Sequence, residues 1–106
     1  MSNNHSEEDQ LLRLQQTVHQ FEVAHGFDQQ SAIVKCLLLG EEIGELFKAV
    51  RSASGIGVDA SSSSKMVGEE LADVFIFLLA LANRFDLKLG VEAKRKLELN
   101  GQRTWK

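Results

Sequence analysis

Residues 68–82 read GEELADVFIFLLALA, an acidic start followed by an almost uninterrupted apolar run. At 100° per residue, the apolar side chains of this segment cover essentially the whole circumference of a helix. A helix that is apolar on every side has to be buried on every side, and three further helices of a 106-residue chain can hardly enclose it. We therefore expect a second copy of the chain to cover part of it, in a homodimer or a dimer of dimers.

The rest of the chain predicts an all-α, four-helix bundle-like protomer whose core the second subunit completes. There is no Pro and no Tyr, 43% of the residues are apolar and 25% are charged, which is an ordinary balance for a globular domain. Apolar residues recur at helical spacing in four segments. The first predicted helix has Ser6 as its N-cap and ends at His25-Gly26, and the second has Asp28 as its cap and ends at Arg51. The third begins after Ser63 or Ser64 and ends at about Phe85, and the fourth runs from about Val91 to Asn100.

One domain is expected over residues 1–106, with a flexible N-terminus over about residues 1–6. Residues 52–64 contain six Ser and two Gly, a composition that predicts a loop. Such a loop is interpreted as a linker between helices rather than as a lid over a substrate.

Charge and cysteine content indicate a soluble cytoplasmic protein. The net charge of -3, without a basic cluster, argues against binding a nucleic-acid polymer. The N-terminus lacks the features of a signal peptide, and the longest apolar run, residues 74–82, is far shorter than the roughly 20 residues of a membrane span. The lone Cys36 excludes a disulfide framework and is expected to be a buried structural thiol.

The acidic start of the opening segment occurs twice. GEEIGEL at residues 40–46 returns as GEELADV at residues 68–74, with acids at the first, second and fifth positions after the Gly. Helix phase places Glu42 with Glu45 at the edge of one apolar stripe and Glu70 with Asp73 on the inward side of the next helix. Glu41 and its counterpart Glu69 point more to the side. Acids at this spacing on one helix are often only a solvated face or an ion-pair strip, but the duplication and the inward phase favour a metal site.

An all-carboxylate ligand set favours Mg²⁺, with Mn²⁺ as the alternative, since hard divalent cations prefer oxygen ligands. A di-iron site would need Glu-x-x-His, and neither motif contains His. A zinc site would need His or Cys ligands, which are also missing from the motifs.

The paired motif, EExxE followed after 24 residues by ExxD, resembles that of the MazG-like nucleoside triphosphate pyrophosphohydrolases of the all-α NTP pyrophosphatase superfamily. The resemblance covers about residues 11–103. It implies Mg-dependent hydrolysis of nucleoside or deoxynucleoside triphosphates between the α and β phosphates, giving the monophosphate and pyrophosphate, as in nucleotide-pool house-cleaning. It also implies that the metal ligands are Glu42, Glu45, Glu70 and Asp73.

The same resemblance implies roles for residues outside the two motifs. Glu41 or Glu42 is the expected general base, and Lys96 and Arg103 on the last helix are expected to neutralise the leaving pyrophosphate. Asn100 on the same face is expected to contact sugar or base. Candidates for the wall of a base pocket are His19, Phe21 and Phe27.

Two alternatives to this function stay open. Within the superfamily, the alternatives are a phosphoribosyl-ATP pyrophosphatase and a dUTPase-like enzyme that acts on a substrate such as dUDP. Outside it, four helices with acidic strips also fit a non-catalytic oligomerisation or regulatory module, whose acids would only make salt bridges.

Overall fold

The computed structural model describes residues 3–56 and 64–103, with side chains placed for residues 10–56 and 66–103. The described residues form four α-helices and one 3₁₀ turn, without a strand. The all-α prediction is confirmed for this part of the chain. The elements in order are α1 (Asn3–His25), the 3₁₀ turn (Phe27–Gln29), α2 (Ala32–Ala53), α3 (Ser64–Arg84) and α4 (Leu89–Gly101).

The junction between α1 and α2 differs from the prediction. Helix α1 ends at His25 as expected, because Gly26 adopts a left-handed backbone with φ of 75°. The predicted cap of α2 by Asp28 is wrong, since Asp28 lies within the 3₁₀ turn. Ser31 is the N-cap instead, and its hydroxyl accepts a hydrogen bond from the Val34 amide at 3.2 Å.

Several other boundaries shift by a few residues. The helical backbone of α1 already begins at Asn3, so the predicted N-cap Ser6 lies inside the helix. Residues 3–6 of the predicted flexible N-terminus therefore belong to α1, and residues 1–2 lie outside the described part. Helix α2 continues through Ser52, which is buried, so the start of the predicted loop is helical. Residues 57–63 of that loop lie outside the described part, and α3 begins at Ser64.

Helices α2 and α3 form the central pair and run antiparallel. The direction follows from two contacts: Arg84 at the end of α3 bonds to Gln30 just before α2, and Lys35 lies over the ring of Phe77. Helix α1 packs across α3, and α4 packs mainly against α1. A small core of buried and partly buried residues lies where α1, α3 and α4 meet; its members are Leu11, Val18, Leu79, Ala80 and Leu89.

The position of α4 depends on a buried amide. Gln15 of α1 donates to the side-chain oxygen of Asn83 at 3.0 Å and to the Leu87 carbonyl at 2.6 Å, and it accepts from the Leu89 amide at 3.1 Å. Gly90 then lets α4 approach the side chain of Leu11, since a Cβ at this position would meet Leu11 at 2.5 Å. One polar residue of α1 thus fixes the start of the last helix.

One chain leaves much apolar surface of α2 and α3 uncovered. Leu79 is completely buried, but Leu71 is 53% exposed and Leu37 is 69% exposed. Cys36 is exposed as well, so the prediction of a buried thiol is wrong. It lines a mostly apolar depression formed with residues of α3 and α4. None of the described helices combines the length and apolar content that crossing a bilayer requires.

Candidate metal centre and adjoining cavity

The two acidic motifs face each other across the α2–α3 pair. Carboxylate oxygens of Glu42, Glu70 and Asp73 all lie within 4.8 Å of one another. Oxygen ligands of one Mg²⁺ or Ca²⁺ ion sit about 2.0–2.6 Å from it, so ligands of a shared ion are at most about 4–5 Å apart. These three residues therefore fit a single hard cation without rearrangement of the helices. The antiparallel pairing explains why the second motif meets the first.

The fourth predicted ligand does not belong to this set. Glu45 is exposed and lies outside the group of three carboxylates. Asp73, which was expected on the inward side of its helix, is exposed in the single chain, while Glu42 and Glu70 are half-buried. Both acids were expected to face inward, and the exposure of Glu45 and Asp73 describes the chain without the second copy that was expected to cover α3. The assignment of Glu45 as a ligand stays a prediction.

Like charges concentrate around Glu42. Burial and the neighbouring carboxylates of Asp73, Glu70, Glu45 and Glu41 raise the pKa of Glu42 above its ordinary range. Such repulsion is relieved either by a proton or by a bound cation. The electrostatics of the cluster thus favour binding a cation, as the short distances do.

A cavity of about 330 Å³ begins at Asp73 and extends between α1, α2 and α3. Its walls are mostly apolar and include the rings of Phe21, Phe27 and Phe77. Three polar residues, Glu22, Gln30 and Lys35, also line it. Its size lies at the small end of the range of ligand-binding pockets, about 300–1,000 Å³. The acidic cluster therefore adjoins a site with room for a small ligand.

The polar residues at this cavity belong to a buried ionic network of α1, α2 and α3. Glu22 is 3% exposed and receives two hydrogen bonds from the Arg84 guanidinium, at 2.8 and 2.9 Å. The Lys35 ammonium lies 2.9 Å from the same carboxylate. Burial acts to raise the pKa of Glu22, but the hydrogen bonds and charges of Arg84 and Lys35 outweigh it and hold that pKa below its ordinary range.

Arg84 also holds the turn that carries Phe27. Its guanidinium donates to the main-chain carbonyls of Phe27 and Gln30, both at 2.9 Å. Phe21 in turn lies against Phe27, with ring centroids 6.4 Å apart. One arginine thus fixes both the carboxylate at the cavity and the backbone that presents an aromatic wall.

Only some of the predicted substrate-binding residues line the cavity next to Asp73. Phe21 and Phe27 line the cavity next to Asp73, whereas His19 lines a separate surface depression with Asn83. Lys96 and Asn100 lie on α4, which packs mainly against α1, but Arg103 follows the end of that helix at Gly101, so the expectation that it lies on the last helix is wrong. Within one chain, Phe21 and Phe27 thus line the cavity that Asp73 also lines, and His19 lies elsewhere.

Four residues at or next to the cavity were not predicted as functional from the sequence: Glu22, Lys35, Phe77 and Arg84. A signal existed, because Glu22 follows the apolar Val18 by four residues and therefore lies on the buried face of α1. A charge at such a position requires a buried partner. The sequence did not predict which residues pair with Glu22, since Arg84 is 62 residues away in the chain.

Comparisons with protein-family models, curated proteins and solved structures give no match for this chain.

Proposed function

We propose that the chain is a Mg²⁺-dependent nucleotide pyrophosphohydrolase. It would cleave nucleoside or deoxynucleoside triphosphates between the α and β phosphates and release the monophosphate and pyrophosphate, in nucleotide-pool house-cleaning. The observation that carries the proposal is the convergence of Glu42, Glu70 and Asp73 next to a cavity with aromatic walls. An oxygen-only cluster suits the cation that accompanies phosphate substrates.

Glu42, Glu70 and Asp73 would hold the cation, with Glu45 approaching from the next turn of α2. A bound Mg²⁺ supplies charge neutralisation for the phosphate oxygens and lowers the pKa of a coordinated water. Since Glu42 lies within the ligand set, the neighbouring Glu41 is the proposed general base that takes the proton from the attacking water. Glu41 is exposed on the same helix and close enough for its charge to act on Glu42.

The cavity would receive the base of the nucleotide. Phe21, Phe27 and Phe77 line it, and aromatic side chains pack well against planar heterocycles. A triphosphate lying at the acidic cluster would leave its nucleoside end at the mouth of the cavity, because Asp73 belongs to both. Phosphate and base subsites are therefore contiguous in this proposal.

A second copy of the chain is proposed to cover the exposed apolar faces of α2 and α3. Contiguous apolar surface of this kind marks interaction sites in soluble proteins. Lys96 and Arg103 are proposed to neutralise the leaving pyrophosphate and Asn100 to contact sugar or base; because α4 packs on α1, we propose that the second copy supplies them. Sedimentation of the purified protein should show a dimer or tetramer, and a monomer at micromolar concentration would contradict this part.

The activity is tested with the purified chain, Mg²⁺ and a panel of nucleoside triphosphates, with pyrophosphate and orthophosphate measured separately. The proposal predicts pyrophosphate and a nucleoside monophosphate in equal amounts. Release of orthophosphate instead, or no turnover of any triphosphate, would contradict the mechanism. Melting curves with and without Mg²⁺ separate the proposal from a non-catalytic helical module, which should show no shift at millimolar Mg²⁺.

A further inference from the structure

Arg84 uses all of the N–H donors of its side chain. A guanidinium has five such donors. They bind both carboxylate oxygens of Glu22 and the main-chain carbonyls of Phe27, Gln30 and Ala80, each at 2.8 or 2.9 Å. A lysine has only three donors, so at this position it would leave at least two of these acceptors without their bond. Another cation therefore cannot replace Arg84 without loss of contacts.

The turn that carries Phe27 depends on two of these bonds. Among the described residues, its other main-chain hydrogen bonds are local, from the Gly26 amide to the Val23 carbonyl at 3.2 Å and from the Gln30 amide to the Phe27 carbonyl at 3.1 Å. Phe27 is 42% exposed, so side chains of the same chain enclose its ring only partly. The position of the ring therefore follows from its backbone, which Arg84 ties to α3.

The acidic cluster lies outside this arrangement. Asp73 precedes Arg84 on the same helix by about three turns. Because every donor of Arg84 is used elsewhere, none of them binds Glu42, Glu70 or Asp73. A substitution of Arg84 should therefore change the aromatic wall of the cavity and leave the proposed cation and phosphate site unchanged.

Resting on the function proposed above, we propose that Arg84 is a positioning residue for the base of the nucleotide. It holds the Phe27 turn in place before binding, so the base meets a preformed wall. A wall that is not held has to be ordered when the nucleotide binds, and this ordering lowers affinity. Because Arg84 holds main chain and does not read the base, its loss should weaken the binding of all bases by the same factor.

Isothermal titration in the presence of Mg²⁺ tests this without depending on hydrolysis. One probe is a nucleoside triphosphate analogue with a methylene group between the α and β phosphates, and the other is inorganic tripolyphosphate, which lacks base and sugar. Arg84→Lys should bind the analogue about tenfold more weakly than the wild type, whether the base is adenine, guanine, cytosine or uracil. Its Kd for tripolyphosphate should stay within about twofold of the wild-type value.

Two control variants separate this role from a general loss of stability. Arg95→Lys makes the same substitution at a surface arginine that pairs with Glu92. Leu79→Val weakens the core on the same helix as Arg84 at a residue that is completely buried and does not line the cavity. Both controls should bind the analogue within about twofold of the wild type. If circular dichroism shows that Arg84→Lys is unfolded, Arg84→Met replaces it, since the buried Glu22 then keeps Lys35 as its partner.

Unchanged binding of the analogue by folded Arg84→Lys would overturn the proposal. So would an equal loss for tripolyphosphate, a loss confined to some bases, or an equal loss in Leu79→Val. A wild type that does not bind the analogue at millimolar concentration would overturn it as well. Hydrolysis of triphosphates without the effect of Arg84 would refute the positioning role and leave the proposed activity intact. The effect of Arg84 on binding without hydrolysis would do the reverse.

Discussion

Glu22 and Arg84, 62 residues apart in the chain, form a two-pronged ion pair that joins α1 to the end of α3. The guanidinium also binds the carbonyls of Phe27 and Gln30, so the pair holds the turn at the cavity. Because both side chains are largely buried, the partners depend on each other. Removing either one leaves a buried charge without compensation.

Glu22→Gln should therefore destabilise the protein strongly. Breaking a buried ion pair by removing one partner costs about 3–5 kcal/mol, and here two cations lose their carboxylate. Urea unfolding monitored by circular dichroism measures the change. Glu92→Gln is the matched control, since Glu92 pairs with Arg95 at the surface and such pairs contribute about 0–1 kcal/mol. Equal, small effects of both variants would contradict the structural role of the network.

Acid should destabilise the wild type through the same residue. The pKa of Glu22 is lower in the folded chain than its ordinary value of 4.5, so the unfolded chain binds the proton more tightly. The stabilisation is present above pH 4.5 and is lost as the pH falls through the lowered folded-state pKa. Unfolding free energies between neutral pH and pH 3 should fall more steeply for the wild type than for Glu22→Gln. Parallel curves would show that Glu22 does not carry this dependence.

Glu42→Gln should have opposite effects with and without Mg²⁺. Without the cation, the substitution relieves repulsion by the neighbouring carboxylates and should raise the melting temperature by about 2–5 °C. With saturating Mg²⁺, the wild type should gain about 2–3 kcal/mol at a hundredfold excess over Kd, and the variant should gain much less. Glu69→Gln, which changes an exposed acid outside the cluster, should keep the wild-type response. A full Mg²⁺ response in Glu42→Gln would remove Glu42 from the ligand set.

The cap of α2 is tested by a pair of alanine variants. Ser31→Ala removes the side-chain oxygen that binds the Val34 amide and should cost about 0.5–2 kcal/mol. Asp28→Ala changes a residue of the 3₁₀ turn and should cost less. Urea unfolding compares the two, and a larger loss for Asp28→Ala would restore the assignment made from the sequence.

The helices were predictable because their apolar residues recur every three or four positions. The end of α1 before Gly26 was predictable because glycine readily adopts a positive φ. The cap of α2 was not predictable with certainty, since Asp28 and Ser31 are both good capping residues and local geometry chose Ser31.

The acidic cluster was partly predictable, and the network beside it was not. Helix phase alone placed Glu42, Glu70 and Asp73 on facing sides, and the structure brings them together. Helix phase does not specify which elements cover a helix, so it did not predict that Asp73 is exposed in the single chain. The partners of Glu22 come from helices far away in the chain, and no local pattern specifies such pairings.

The rate of Mg²⁺-dependent pyrophosphate release by Asp73→Asn, relative to wild type and to Glu69→Gln, tests the central claim most directly. The loss of a cation ligand removes several kcal/mol of transition-state stabilisation, so Asp73→Asn should lose at least about 100-fold in rate while remaining folded. Glu69→Gln should stay close to wild type. A folded Asp73→Asn protein that releases pyrophosphate at the wild-type rate would contradict the assignment of the acidic cluster as the catalytic metal centre.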